Sequence, residues 1–88
     1  MTTVVATHTV GDIEKWLKAN NRERLFPKFC SSYRIFKHAG GKGVSIVAEG
    51  VNLEKMQAVL STPEAAAAKA EDTVIDPIEI YIEVEGGK

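Results

Sequence analysis

The clearest pattern in the chain is an alternation of apolar and other side chains near its C-terminal end. Four β-branched residues take one parity and three polar or aromatic residues take the other: Ile78, Ile80, Ile82 and Val84 against Glu79, Tyr81 and Glu83. Successive side chains of a strand point to opposite faces. The pattern predicts a strand over residues 78–84, opened by Asp76-Pro77, with the isoleucines buried and Tyr81 on a polar face.

Another strand is predicted at the start of the chain, where residues 3–10 are rich in β-branched types. One parity is more apolar and is expected to face the core: Val4, Ala6, His8 and Val10. The other parity is expected to face away from it: Thr3, Val5, Thr7 and Thr9. His8 is therefore placed on the buried face although its side chain is polar.

A helix is predicted directly after this first strand. Asp12 can cap its N-terminus, and Ile13, Trp16 and Leu17 follow with the spacing of one helical face. A further apolar group predicts that a helical or irregular segment continues to about residue 30: Leu25, Phe26 and Phe29.

The middle of the chain predicts a β-hairpin. Residues 32–38 and 44–50 have strand composition, and the glycine-rich residues 39–43 connect them. The pattern of the first of these strands leaves its parity open, so the faces of Tyr33 and Phe36 are not fixed.

A second helical region follows the hairpin. Asn52 can cap it, and four apolar residues then follow at helical spacing: Leu53, Met56, Val59 and Leu60. We expect a break near Ser61 and a restart through the alanine-rich residues 65–70. Two restarts are open: Thr62 caps the helix with Pro63 at its first position, or Ser61 and Glu64 form a capping box.

The predicted elements follow the order β-α-β-β-α-β, which is the ferredoxin-like arrangement. This α+β fold has a four-stranded antiparallel sheet with its helices on one face. We expect one domain over residues 1–88, with a frayed tail at 85–88. Val5 and Tyr81 are expected on the bare face of the sheet, as the contact of a homodimer, because a domain of this size gains stability from a partner.

Composition and charge narrow the possible partners. The chain has 11 basic and 12 acidic residues, and the basic ones are scattered, so nucleic-acid binding is not expected. No apolar run approaches the ~18–20 residues of a membrane span, and the N-terminus lacks the pattern of a signal peptide. We therefore expect no membrane partner and a cytoplasmic location. Cys30 is the single cysteine, and neither a disulfide nor a metal site is expected.

Three segments resemble the antibiotic-biosynthesis-monooxygenase-like and cyclase-like branches of the dimeric α/β-barrel superfamily. They are HTVGDIEKW at 8–16, VNLEKMQAVLSTPEAAAAKAEDTV at 51–74 and IEIYIEVE at 78–85. The likeness covers most of the chain, while residues 19–43 match only in outline. It implies a homodimer in which two sheets pack face to face around an eight-stranded, barrel-like core.

The resemblance also implies a range of roles. The superfamily includes cofactor-independent oxygenases of phenolic polyketides, polyketide cyclases, haem-degrading proteins and proteins of unknown role. Its pocket typically lies between the sheet and the helices. The haem-degrading type usually has its ligating histidine on the second helix, and the corresponding region here has no histidine. We therefore expect no haem and no other cofactor, and a small apolar or aromatic molecule as the ligand.

His8 is the candidate catalytic residue, as a general base that generates a phenolate or an enolate. That anion then cyclises or transfers an electron to oxygen. The alternative is a half-buried histidine with one backbone hydrogen bond. Five aromatic residues are candidates for pocket walls or, more simply, for the core: Trp16, Phe26, Phe29, Tyr33 and Phe36. An enzyme needs space beside His8, whereas a non-catalytic ligand-binding or structural dimer does not.

Overall fold

The computed structural model describes residues 2–84 and 86. Within that part of the chain, strands and helices follow in this order: β1 (Thr2–Val10), α1 (Ile13–Lys18), α2 (Asn21–Leu25), β2 (Ser32–Lys37), β3 (Gly43–Val51), α3 (Leu53–Leu60), α4 (Pro63–Glu71) and β4 (Val74–Ile82). A 3₁₀ turn at Phe26–Lys28 follows α2. The predicted frayed tail at 85–88 lies outside the described residues, apart from Gly86.

The strands form one antiparallel sheet in the order β2-β3-β1-β4. This order, with helices after β1 and after β3, confirms the predicted ferredoxin-like α+β fold. The helices cover one face of the sheet, here called the helix side. The opposite face is called the open face.

The core lies between the helices and the two central strands. Its buried residues fall into two clusters: Val4, Phe29, Cys30, Ala48 and Val51 in one, and Val10, Trp16, Val44 and Ile46 in the other. Val4 and Val10 are buried, and Ala6 and His8 are half-buried. The predicted inward parity of β1 is therefore confirmed.

The predicted burial of one face of the C-terminal strand is wrong for Ile80, Ile82 and Val84, which are exposed, whereas Ile78 is half-buried. Ile80 is 42% exposed and Ile82 is 49% exposed, although they pair with Ala6 and Val4 and share their face. The reason is position: β4 is an edge strand, and the core clusters lie over β1 and β3. The strand is also longer than predicted, because it begins at Val74 and includes Pro77, which an edge strand tolerates.

Each predicted helix start has its capping hydrogen bond. The backbone N–H of Lys15 donates to Asp12, at 3.1 Å, and that of Lys55 donates to Asn52, at 3.0 Å. The restart is settled in favour of Thr62, whose hydroxyl accepts from the N–H of Ala65 at 3.1 Å. Pro63 occupies the first position of α4, where its missing N–H leaves no helical bond unmade.

The structure settles the parity of β2. Phe36 pairs with Ser45 and Arg34 pairs with Val47, on the open face. Tyr33 pairs with the buried Ala48 and therefore lies on the helix side. Phe36 was predicted to share a pocket with Trp16, but the sheet separates the two residues.

Candidate functional site

His8 lies on the helix side of β1, opposite the buried Val44. Its Nδ1 lies 3.0 Å from the carbonyl oxygen of Thr9. A carbonyl can only accept, so this contact assigns the proton to Nδ1 and leaves the lone pair of Nε2 available. The ring is half-buried rather than sealed in the core. In the neutral ring this contact leaves Nε2 as the acceptor.

Trp16 contacts both His8 and a second polar residue, Arg22. The indole is 1% exposed, and its ring meets the imidazole edge to face with centroids 6.1 Å apart. The guanidinium carbon of Arg22 lies 4.2 Å from the centroid of the indole ring, a distance typical of cation–π contact. One buried aromatic ring thus contacts both an imidazole and a guanidinium.

The other aromatic residues predicted on the helix side pack on one another. Phe26 lies 4.9 Å from Phe29 and 5.0 Å from Tyr33, measured between ring centroids. Phe29 is 4% exposed, and burial raises the pKa of the Tyr33 hydroxyl. These three rings fill the space between helices and sheet, and as walls of a ligand pocket they remain a prediction.

On the helix side, the surface next to His8 is a strip of β4 that the helices leave uncovered. Three helix-facing residues form this strip, which we call the β4 shelf: Ile78, Ile80 and Ile82. Ile78 is half-buried, and the other two are the exposed isoleucines described above. Ile80 pairs directly with Ala6, two residues before His8. The shelf gives His8 an apolar, accessible neighbourhood without an enclosed pocket.

A cavity of about 430 Å³ lies on the other side of the sheet, at one end of the open face. Its lining combines hydroxyls, a carboxylate, an imidazole and apolar groups: Thr7, His8, Thr9, Phe36, Lys37, His38, Gly43, Val44, Ser45, Pro77 and Glu79. His8 and Val44 also belong to this lining, although their side chains lie on the helix side of the two central strands. Trp16, Phe26, Phe29 and Tyr33 are not among the lining residues. The predicted pocket residues thus divide between the two faces.

The predicted dimer contact residues are neighbours on the open face. Val5 pairs with Tyr81 on one side and with Val47 on the other. Tyr81 is 55% exposed, and Phe36, on the same face, is 47% exposed. Together they place an apolar and aromatic band across the sheet.

A buried polar group that the sequence did not indicate lies where α2 meets the end of α4. Asn21 is 5% exposed, Arg22 7% and Asp72 6%. The Asn21 amide donates to Asp72 Oδ1 at 3.0 Å, and Arg22 Nη2 donates to the carbonyl of Trp16 at 3.0 Å. Burial raises the pKa of the Asp72 carboxyl and lowers the pKa of Arg22, against the opposing effect of each group's charge on the other.

Nothing in the residue pattern pointed to this group. Asparagine and charged residues normally lie in solvent, so the stretch NNRER at 20–24 gives no sign of burial. Its burial depends on a contact between distant segments, Asn21 with Asp72, and on a contact across the turn from α1 to α2, Arg22 with Trp16.

Cys30 is a packed thiol. It is 9% exposed, and its Sγ donates to the carbonyl of Phe26 at 3.2 Å. Burial raises its pKa, which disfavours the reactive thiolate.

Within residues 2–84 and 86, no three side chains of the metal-binding types come together. None of the helices described has the length and apolar character needed to cross a bilayer.

Solved structures share this fold. A candidate antibiotic biosynthesis monooxygenase from Nitrosomonas europaea superposes with a TM-score of 0.71 at 13% identity, over 93% of this chain and 86% of that one. Another, from Bordetella bronchiseptica, gives 0.70 at 12% identity over 94% of each chain. A protein from Thermobifida fusca, described as dimeric, ferredoxin-like and of unknown function, gives 0.59 at 16% identity over 93% of this chain and 88% of that one.

The resemblance found in the sequence is thereby confirmed at the level of the fold. Neither a protein-family model nor a curated protein sequence matches the chain.

Proposed function

We propose that the protein binds a small aromatic or polyketide-like compound on the helix side of the sheet, and acts on it as a cofactor-independent monooxygenase or cyclase. The observation that carries the proposal is the geometry of His8. Its Nδ1 is held by the Thr9 carbonyl, its ring contacts Trp16, and the apolar β4 shelf lies on the same face. The fold shared with candidate antibiotic biosynthesis monooxygenases supports it.

In this proposal Nε2 of His8 takes a proton from a phenolic hydroxyl or from a carbon next to a carbonyl. The imidazole can accept it because Nδ1 already carries the other proton. A resulting enolate attacks a second carbonyl of the same molecule, which closes a ring and then loses water. A phenolate instead gives one electron to O₂. The radical and superoxide then combine into a peroxide anion, which takes the proton back from His8. The resulting hydroperoxide loses water to leave a carbonyl. The planar body of the compound lies against the β4 shelf.

The proposal includes a homodimer formed through the open face, within the cytoplasm. Val5, Val47, Tyr81 and Phe36 give that face an apolar band, and Tyr81 and Phe36 are about half exposed in the single chain. Burying large aromatic side chains is a main source of association energy. One protein that shares the fold is described as dimeric.

A second candidate is a non-catalytic dimer, and the core packing favours it. Phe26, Phe29 and Tyr33 contact one another instead of lining an enclosed space. In this case His8 has only its hydrogen bond to Thr9 to satisfy, and the fold would serve binding or assembly.

The test is His8→Gln, assayed against a panel of phenols and polyketide-like ketones for oxygen consumption and cyclised product. Loss of a general base lowers rates by about a hundredfold to ten-thousandfold. His38→Gln is the matched control, because His38 is the other histidine and is exposed at the end of β2. Turnover by the wild type and by His38→Gln, with at least a hundredfold loss in His8→Gln, supports catalysis. Equal turnover in all three proteins removes His8 as the base, and no turnover in the wild type favours the non-catalytic dimer.

A further inference from the structure

Arg22 is a buried cation whose hydrogen bonds are incomplete. Its Nη2 donates to the Trp16 carbonyl at 3.0 Å, and its guanidinium stacks on the Trp16 ring. Its Nη1 is sealed from solvent and has no hydrogen-bond partner among the described residues. Native proteins satisfy nearly all buried polar groups, and an unmet donor on a charged group is especially costly. The missing partner of Nη1 therefore calls for an explanation.

The charge of Arg22 also lacks a direct counter-ion. The ion pairs of the described residues are Arg24 with Glu64, Arg34 with Glu49 and Lys69 with Asp76. Asp72 and Glu23 act on Arg22 through their charges, but neither carboxylate bonds to it, and that of Asp72 is bonded to Asn21. A buried charge is stable only when it is paired and hydrogen-bonded. An anionic oxygen placed at Nη1 would meet both needs at once.

We propose that Arg22 anchors the ligand, with Nη1 donating to the carboxylate of a small aromatic acid that lies beside Trp16 and His8. This inference rests on the proposed function, because it uses the same helix-side site. It also narrows the ligand class. One free guanidinium nitrogen suits a monoanion, whereas a phosphate dianion needs more donors than the site offers. The apolar β4 shelf and the Trp16 ring suit an aromatic body.

Binding requires α2 to move. Nη1 is sealed, so a carboxylate reaches it only when this five-residue helix shifts outward. The N-cap Asn20 makes no side-chain capping bond, so the start of α2 lacks one of the usual restraints. Since the ligand completes the bonding of Arg22, it should stabilise the folded chain as it binds.

Trp16 provides the readout, because it is the single tryptophan of the chain. The experiment titrates benzoate and, as its neutral counterpart, benzyl alcohol, at constant ionic strength, following tryptophan emission and the thermal midpoint. The proteins are the wild type, Arg22→Gln and Arg24→Gln. Arg24 is the matched control, because it lies on the same helix but forms an exposed ion pair with Glu64.

We expect saturable benzoate binding by the wild type and Arg24→Gln, and binding at least about tenfold weaker in Arg22→Gln. Equal affinity of the wild type for benzoate and benzyl alcohol overturns the anchor. So does equal benzoate binding by Arg22→Gln, or a crystal structure in which only a fixed water meets Nη1 in the presence of benzoate. If Arg22→Gln does not fold, the benzoate and benzyl alcohol comparison on the wild type decides.

The two proposals fail separately. If benzoate binding depends on Arg22 but His8→Gln turns over as fast as the wild type, Arg22 anchors the ligand and His8 is not the catalytic base. If His8→Gln loses turnover but the wild type does not prefer benzoate to benzyl alcohol, His8 is the catalytic base and Arg22 does not anchor the ligand.

Discussion

The two faces of the sheet are built from alternate residues of the same strands, yet their chemistry differs. On the helix side, His8 contacts a buried tryptophan that also carries the Arg22 guanidinium. On the open face, Val5 lies between Val47 and Tyr81, and the aromatic rings there are half exposed. Polar groups are thus buried around Trp16 on the helix side, and aromatic groups are exposed on the open face. Each face departs from the usual arrangement of a lone soluble domain in its own way.

The difference suggests that the two faces of the sheet have different functions. Buried polar groups with free lone pairs or free donors are typical of sites that bind and transform small molecules. A band of exposed aromatic side chains is typical of a surface that another chain covers. Alternation along β1 keeps these two roles apart, because neighbouring residues cannot share a face.

The largest expected effect is a difference in the stability lost when an aromatic ring is removed from one face or from the other. Trp16→Ala removes a fully buried ring, so we expect it to lower the free energy of unfolding by about 3–5 kcal/mol, a large share of a small domain's stability. Phe36→Ala, at a 47% exposed ring, should cost only about 1 kcal/mol at protein concentrations that disfavour dimers. Urea unfolding followed by circular dichroism measures both. Similar losses would contradict the assignment of the core to one face.

The next largest effect concerns the association of two copies of the chain, which we expect to depend on the open face. Tyr81→Glu places a charge in the aromatic band beside Glu79 and Glu83, so we expect it to convert a dimer into a monomer in sedimentation experiments. Leu60→Glu is the control, because Leu60 is similarly exposed, at 45%, but lies on α3. A wild-type monomer, or a dimer that only Leu60→Glu disrupts, would place the interface elsewhere.

A moderate effect tests the packing beneath the helices. The Cys30 thiol is buried and its pKa is raised by that burial, so alkylation by iodoacetamide should be at least about tenfold slower than in the chain unfolded by urea. The unfolded chain is the matched control, because it has the same single thiol. Equal rates at neutral pH would show that the cluster around Phe29 and Cys30 is open.

The smallest effect is a pair of opposite pH dependences. Burial raises the pKa of Asp72, so the folded chain binds this proton more tightly than the unfolded chain does. Its contribution to stability is therefore greatest below the unfolded pKa of about 3.9 and is lost as the pH rises through the folded pKa. In Asp72→Asn this loss of stability with rising pH should be absent.

Glu64 provides the opposite sign and serves as the control. The hydrogen bond from Arg24 lowers its pKa, so its contribution is present above the unfolded pKa and is lost as the pH falls through the folded pKa. Glu64→Gln should flatten that acid-side loss, and the effect should be slight because the pair is exposed. Urea unfolding across the acid range measures both variants. A matching slope change in the two variants would mean that Asp72 is not buried as described.

The sequence predicted the elements of this fold because local signals agreed with one another. Asp12, Asn52 and Thr62 each precede an apolar helical pattern, and each makes the expected capping bond. Alternation in β1 correctly placed His8 on the helix side. These features depend on residues close in sequence, which is where pattern carries information.

The errors concern properties that depend on the assembled sheet. Alternation gave Ile80 and Ile82 the right face, but their exposure follows from the edge position of β4. The face of Phe36 depends on the register of β2 with β3, which the pattern left open. The burial of Arg22 depends on its contact with Trp16 across the turn between two helices, which no periodicity signals.

The most direct test of the division between the faces is a crystal structure of the protein grown with benzoate. We expect benzoate on the helix side, with its carboxylate on Arg22 and its ring near Trp16 and His8, in a dimer whose copies meet through Val5 and Tyr81. Benzoate in the open-face cavity beside Phe36 and His38, or copies joined through their helices, would contradict it.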